Sequence, residues 1–440
     1  MRAAAICSAP REFTLSHCTH DAYNDGGNAL KDAAQPAAVV LDAEQKSSLA
    51  AIRSLGARGI RVIAGSNRPT AMGLYSRYVD RRFLYPSPLR QRDGFVDCVT
   101  SLVHENSDSG PPVLLAFSDS TLLPLAADSR AGEWWKWPLS TGDECFWLAF
   151  DKGCTLALAE SLGVAIPKTY FQTSADDLPE FLHNCSFPLV VKPRRSVSWY
   201  GAVNGGGVQL TRRFAGSLAE LKSLCDELVA KTGEFPLIQE YVQGEEASVQ
   251  YLCDRGSVVA ACANRRLRSA HPTGGPGALK ETVPLSYHGM AQLARRLVTA
   301  VTWSGPIMVE FKIDRASGVP KLMETNGRFW GSLPLAVLAG IDFPYLYYQL
   351  ALNLDIVRAV DYRLGITSRH FMADLRHLRS ALFRADPMRG VAYPSRWRAL
   401  RDFFRTPENC KSDVVDVLDP LPAAVELVDA SHDLFRRLFR

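Results

Sequence analysis

The chain has 440 residues, ten cysteines and a formal net charge of +4, enough length for two or three domains because single cores stop growing well below this size. So small a charge argues for neither a nucleic-acid partner nor a membrane surface, and no apolar run approaches the roughly 18 residues of a spanning helix. The cysteines include no Cys-x-x-Cys pair, which suits reduced thiols in a cytoplasmic protein better than a disulfide framework or a zinc site.

Residues 1–36 read as a flexible leader. Broken up by Cys7, Pro10 and Arg11, it lacks the apolar core of a signal peptide. His17, Cys18 and His20 lie in its Gly/Asn/Asp-rich part and are taken as leader rather than as a metal site. From Ala37 the pattern predicts strands at Ala37–Leu41, Gly59–Ala64, Arg82–Tyr85 and Val113–Phe117, with a helix at Ser47–Leu55 and another capped by Ser118 or Asp119. Strands alternating with helices imply a parallel, Rossmann-like α/β domain over 37–140. Asp42-Ala43-Glu44-Gln45 follows the first strand in place of Gly-x-Gly-x-x-Gly. That leaves no pyrophosphate seat and weighs against a nicotinamide oxidoreductase. Trp134-Trp135-Lys136-Trp137 suits a packed interdomain linker better than a ligand platform.

A second domain, 141–354, opens with Asp151-Lys152 leading a helix to Leu162. Phe187 to Pro193 is a buried strand carrying Lys192 at its end, and Gly205-Gly206-Gly207 follows in what reads as the same hairpin. Backbone N–H groups freed by glycines can cradle phosphate oxygens, and a lysine at the rim adds a point charge; by itself the loop reads equally well as an ordinary flexible turn. A helix at about 216–230 precedes the strand Pro236–Val242, which ends in Gln239-Glu240-Tyr241-Val242-Gln243-Gly244-Glu245-Glu246. Such a hinge offers backbone groups to an adenine and a carboxylate to a ribose, although taken alone the segment reads better as a charged strand end. Strands at Ala247–Leu252 and Val258–Ala263 and an amphipathic helix at Tyr287–Thr302 come next.

The densest chemistry lies in Ile307-Met308-Val309-Glu310-Phe311-Lys312, a turn from Asp314 to Gly318, and Leu322-Met323-Glu324-Thr325-Asn326-Gly327-Arg328. Side chains alternate along a strand, so an antiparallel pair sets Glu310, Glu324 and Asn326 on one face, with Arg328 two residues on. Two carboxylates and an amide suit Mg²⁺, which takes hard oxygens and completes its shell with phosphates and water. A surface hairpin with solvated acids is the bland alternative. Phe329–Ala339 is predicted helical, and residues 355–440 are read as a helical, Arg-rich extension whose arginines form a solvated face. Leu375, Leu378 and Leu382 stand at helical spacing there.

Taken in order, the Asp151-Lys152 helix, Val191-Lys192-Pro193, the Gln239–Glu246 hinge, Glu310 and Glu324-Thr325-Asn326-Gly327-Arg328 resemble an ATP-grasp enzyme over about 37–350. Within that superfamily the chain is similar to the carbamoyl-phosphate-synthase-like branch of stand-alone carboxylate–amine ligases, with Gly327 where that family usually has Pro or Thr. The resemblance implies two α+β subdomains after the α/β domain. It implies that Lys152 and Lys192 contact ATP phosphates, that Gln239, Glu240, Tyr241 and Val242 line the adenine site, and that Glu246 meets the ribose. Glu310, Glu324 and Asn326 would hold Mg²⁺ (or Mn²⁺), two ions bridged by Glu324, with Arg328 and Lys192 catalytic. It further implies activation of a small-molecule carboxylate as an acyl phosphate and its transfer to an amine (or a thiol), with a non-catalytic ATP-binding regulator as the rival. The loop carrying Arg265, Arg266, Arg268, His271 and Lys280 resembles loosely the segment facing the acceptor. Oligomeric state stays open, a homodimer included.

Overall fold

The computed structural model describes residues 35–440 apart from 131–132, 143, 172–177, 200–205, 384–392 and 439–440, and of 432–438 the backbone alone. His17, Cys18, His20 and Gly205 therefore lie outside the described residues. The first unit runs β1 (Ala38–Val40), α1 (Lys46–Gly56), β2 (Val62–Ser66), β3 (Arg81–Leu84), α2 (Arg92–Glu105), β4 (Val113–Leu115) and α3 (Asp119–Ala126). Its strands are all parallel in the order β3-β2-β1-β4. β1 and β2 are buried throughout, as a parallel sheet covered on both faces requires. The pattern reading overlooked α2, although Phe95, Val96, Val99, Leu102 and Val103 bury one helical stripe. Ser118 caps α3 by accepting from the Thr121 N–H. The Trp135 side chain is fully buried, and the Leu114 N–H donates to the Lys136 carbonyl at 2.9 Å, so the tryptophan run is sheet edge and core, with no platform for a ligand.

Next come α4 (Glu144–Leu148), α5 (Lys152–Ser161), β5 (Thr169–Tyr170), α6 (Leu178–His183), β6 (Leu189–Lys192), β7 (Val197–Ser198), β8 (Val208–Gln209), β9 (Arg213–Ala215), α7 (Leu218–Thr232) and β10 (Leu237–Glu240). Asp151 caps α5, accepting from the Gly153 and Cys154 N–H groups. β5, β10, β6 and β9 form one antiparallel sheet, while β7 and β8 pair separately. Lys192 lies in the first of these sheets, while Gly206 and Gly207 lead into β8 of the second, so they do not share a hairpin. Strands β11 (Gly244–Asp254), β12 (Ser257–His271) and β13 (Gly274–Thr282) precede α8 (Met290–Ala300), β14 (Gly305–Asp314), β15 (Pro320–Asn326), α9 (Leu333–Ala339) and α10 (Phe343–Ala351). The stretch 265–281, expected as a loop, is instead the outer half of the β12–β13 ribbon. The expected helix at Phe329 starts only at Leu333, because Phe329 and Trp330 are drawn into the core against Phe117, Phe343 and Tyr347.

Residues beyond α10 add β16 (Thr367–Arg369), α11 (Phe371–Phe383), α12 (Arg396–Phe404), β17 (Cys410–Ser412) and α13 (Leu421–Leu438). This extension is not merely helical. β16 joins the edge of β13 and β17 joins β16, giving a seven-stranded sheet of order β15-β14-β11-β12-β13-β16-β17. Nor is Arg369 solvated: with Arg268 it grips the fully buried Asp374, since a carboxylate taken from water needs a cation. α13 is fastened by Arg68 and Thr70 to Asp429, and by His370 to Glu426. Among the described residues no helix is long and apolar enough to cross a membrane, and the cysteines are unpaired.

Candidate functional site

Period-two alternation divides the seven-stranded sheet into two faces. Val249, Tyr251, Ala261, Ala263, Ile307, Val309 and Phe311 turn to one side and pack with Met290, Ala294, Leu297 and Val298 of α8. The other side carries Glu246, Ser248, Asn264, Arg266, Lys280, Glu310 and Lys312. It is covered at one end by α9 and α10, through Leu252, Cys262 and Met308, and is open at the other. Two connected cavities occupy that opening, of about 420 Å³ and about 710 Å³, sharing Arg212, Glu310 and Glu324 in their walls.

Glu310 and Glu324 stand directly opposite across β14 and β15. Like charges so placed repel. Loss of water and then the charge of Glu324 raise the Glu310 pKa, against the pull of Arg266 at 3.5 Å. Burial would raise Glu324 too, but Lys152, Lys192, the Asn326 amide and Arg212 together hold it below its usual range. The Asn326 amide nitrogen donates to Glu324 Oε1 at 3.4 Å, and its carbonyl accepts from Arg328 at 3.3 Å. Two facing carboxylates beside an amide oxygen fit a hard divalent cation. Among the described residues no three His, Cys, Asp or Glu gather as a metal cage; Mg²⁺ commonly takes one or two carboxylates and completes its shell with phosphate and water oxygens.

Lysines flank the pair. Lys192 ends β6, is 4% exposed and donates to the Met323 carbonyl at 3.2 Å. Burial brings its pKa down to about 8, with Glu324 opposing. Lys152, first residue of α5, donates to Ser196 Oγ at 2.8 Å. Tyr241 and Val242 line the smaller cavity. Lys312 sits 4.8 Å from the Tyr241 ring centre and donates to the Val242 carbonyl at 2.9 Å. Glu246 faces the same cavity, already bound by Arg266 at 2.5 Å and Ser269 at 3.1 Å. Burial alone would raise its pKa, yet Arg266, Lys312 and Arg212 lower it.

Two expected residues are not brought in. Gln239 is fully buried in β10, its amide nitrogen donating to Thr169 Oγ1 at 2.8 Å. Glu240 accepts from Lys321 at 2.7 Å and from the Lys168 N–H at 3.1 Å. Neither side chain lines the cavity: β10 ends at Glu240, its last two side chains are held by Thr169, Lys321 and Lys168, and the chain that leaves the strand carries Tyr241 and Val242 to the wall. Arg265, Arg266 and Arg268 are likewise committed, to Glu281, Glu246 and Asp374 respectively.

Sequence reading missed Arg212, Lys46 and Asp413, gave no site role to Lys312, took Asp119 only as a helix cap, and named Lys280 only within the segment loosely resembling the acceptor-facing one. Lys312, two residues beyond Glu310 and on its face, was legible from alternation. Asp119 was not: it lies 209 residues from Arg328, which donates to its Oδ1 at 2.5 Å. This buried pair joins α3 of the first unit to the end of β15 and points Arg328 at the larger cavity.

Comparison with known proteins adds the following. Residues 234–372 match the family model described as ATP-grasp in the biosynthetic pathway with Ter operon. The chain is similar to the carbamoyl phosphate synthase large chains of Thermomicrobium roseum, 23% identical over 320 residues, and Clostridium acetobutylicum, 22% identical over 331 residues. These alignments cover 70% and 72% of this chain but 28% and 29% of the relatives, so it spans under a third of their length. Among solved structures it resembles the biotin carboxylase domain of the Hydrogenobacter thermophilus 2-oxoglutarate carboxylase, in complex with MgADP, ADP and bicarbonate (TM-score 0.58, 15% identity, 76% of this chain and 74% of that one). It also resembles the L-amino acid ligase of Bacillus licheniformis (0.53, 17%, 72% and 74%) and the N5-carboxyaminoimidazole synthetase of Staphylococcus aureus (0.56, 11%, 76% and 82%). At these identities the likeness is one of fold.

Proposed function

We propose that this chain, whose residues 234–372 match an ATP-grasp family model, is an ATP-dependent ligase that activates a small-molecule carboxylate and joins it to an amine. The observation that carries this is the facing of Glu310 and Glu324, flanked by Lys152 and Lys192, where a nucleotide-sized cavity opens into a larger one. Phosphoryl transfer asks a protein mainly for positioning and charge neutralisation, and the site consists of groups that do both. Adenine would lie by Tyr241 and the Val242 backbone, with Glu246 toward the ribose. Lys152 and Lys192 would neutralise phosphate oxygens. Mg²⁺ on Glu310, Glu324 and the Asn326 carbonyl would supply further charge neutralisation when bound.

In the larger cavity the substrate carboxylate attacks the γ-phosphorus, ADP departs, and the amine then displaces phosphate from the acyl carbon, giving an amide. Arg328, braced by Asp119, holds the transferred group. The substrate names of the structural neighbours, a ligase and a synthetase among them, support this class. The unpaired cysteines suit a reducing, cytoplasmic setting. The test is an ADP-release screen of acids crossed with amines. Release that requires both supports the reading, whereas ATP binding without turnover across the panel replaces it with a nucleotide-binding regulator.

A further inference from the structure

The larger cavity, about 710 Å³, extends from the carboxylate pair to a wall that includes Lys46 and Lys280, both held by Asp413. Lys46 opens α1, Lys280 lies on β13, and Asp413 follows β17. Lys280 Nζ donates to Asp413 Oδ2 at 2.7 Å, and Lys46 Nζ donates to the same oxygen. The Lys280 and Lys46 side chains are 3% and 12% exposed, and that of Asp413 is 0% exposed. Two ammonium groups out of water thus share one carboxylate oxygen.

Charge withdrawn from solvent is costly unless balanced. Around this cavity Arg68 pairs with Asp429, Arg266 with Glu246 and Arg328 with Asp119, one cation to one carboxylate. At the lysine pair two amino groups converge on a single carboxylate. Burial brings Lys280 down to about 7, Asp413 pulling it up and Lys46 pushing it down again. Asp413, despite its burial, is kept well below the usual carboxylate range by the two lysines. The aspartate stays anionic, and among the described residues the ion pairs of both lysines go to Asp413 alone. Both line the cavity.

Register places this cluster relative to the reaction. Glu310, Ser248, Asn264 and Thr282 run side by side across β14, β11, β12 and β13, and Lys280 is two residues from Thr282, on the same face. Three strand spacings across the sheet and two residues along β13 separate the backbones of Glu310 and Lys280, about 16 Å in all. A carboxylate reacting beside Glu324 and Arg328 would leave the rest of its molecule lying across the sheet toward the lysines.

We propose that Lys46 and Lys280, held together by Asp413, bind a second anionic group at the far end of the acid substrate. The acid is then an elongated molecule with anions at both ends, a dicarboxylate or a phosphorylated carboxylic acid. This rests on the ligase reading above. It also gives the C-terminal extension a role in substrate choice, since Asp413 belongs to it.

The experiment compares octanoate with suberate, hexanoate with adipate, and either with a phosphorylated carboxylic acid of similar length. ADP release is measured with mixed amines, and the melting temperature is measured with each acid in the absence of ATP. The expected result is a lower KM and a larger thermal stabilisation for the two-ended acids, the phosphorylated arm telling carboxylate from phosphate. Lys280→Met should raise KM for the preferred acid at least about tenfold, as losing a hydrogen bond to a charged group does, with KM for ATP unchanged. Lys46→Met, at the cavity rim, serves where the first variant does not fold. Equal KM for one-ended and two-ended acids, or a folded variant with unaltered preference, would overturn the proposal and leave the cluster a clasp between segments. Should no acid release ADP from the parent, the ligase reading fails. Acid-dependent stabilisation that disappears in Lys280→Met would then still uphold the anion seat, and its absence would sink that too.

Discussion

Changing Glu324 to alanine is expected to lower ADP release at least about a thousandfold while leaving the melting temperature of the ligand-free protein nearly the same. Removing one preorganised group that stabilises developing charge costs on the order of a hundred- to a thousandfold. Glu324 does more than one such group would, because it is the carboxylate nearest both lysines and lies directly opposite Glu310. Stability should hardly move, since two effects oppose each other. The variant loses attraction to Lys152 and Lys192, and it loses repulsion with Glu310, whose raised pKa records that repulsion. Circular dichroism melts beside a turnover assay separate the alternatives. A folded variant that turned ATP over at the parent rate would show that the facing acids are ordinary surface groups.

Lys192→Ala should weaken ATP binding by about ten- to a hundredfold, the loss expected for a hydrogen bond to a charged group. The lysine is lodged at the end of β6 with its ammonium aimed between Met323 and the carboxylate pair. Burial has already lowered its pKa to about 8, which makes the prediction pH-dependent. Below pH 8 the side chain is charged before nucleotide arrives. Above it the side chain is neutral, and binding must be accompanied by proton uptake, so affinity should fall by up to about tenfold per pH unit. Calorimetry of a non-hydrolysed ATP analogue from pH 7 to 9.5 should show that slope in the parent and its absence in Lys192→Ala. Equal affinity of parent and variant would remove Lys192 from the phosphate site.

The parts of this molecule that could be read from the chain are those governed by local periodicity. Alternation in Ile307–Lys312 and Leu322–Arg328 was enough to place Glu310, Glu324 and Asn326 on one face, because a strand allows a side chain only two directions. The helix opened by Asp151 followed from capping chemistry in the same way. What escaped depends on pairing between distant segments. Asp119 reaches Arg328 across 209 residues, and Asp413 reaches Lys46 across 367; neither partner carries a local mark. β16 and β17 have three residues each, too few to show a period, so the tail read as helices alone. Gln239 and Glu240 show another limit. A strand end rich in polar side chains advertises a binding hinge, yet Lys321 and Thr169 take those side chains and leave Tyr241 and Val242 at the cavity wall.

The incorporation of the tail into the large sheet means that the C-terminal end is a poor place to shorten this chain. Trimming it after residue 372, where the family match stops, would strip away β17, uncover the edge of β16, and take the only acid that separates Lys46 from Lys280 among the described residues. An orphaned buried cation pair costs about 3–5 kcal/mol, a large share of the margin by which a domain stays folded. Shortened forms should therefore be made by cutting elsewhere, and natural shortening of this chain from its C-terminus would have had to replace Asp413 first.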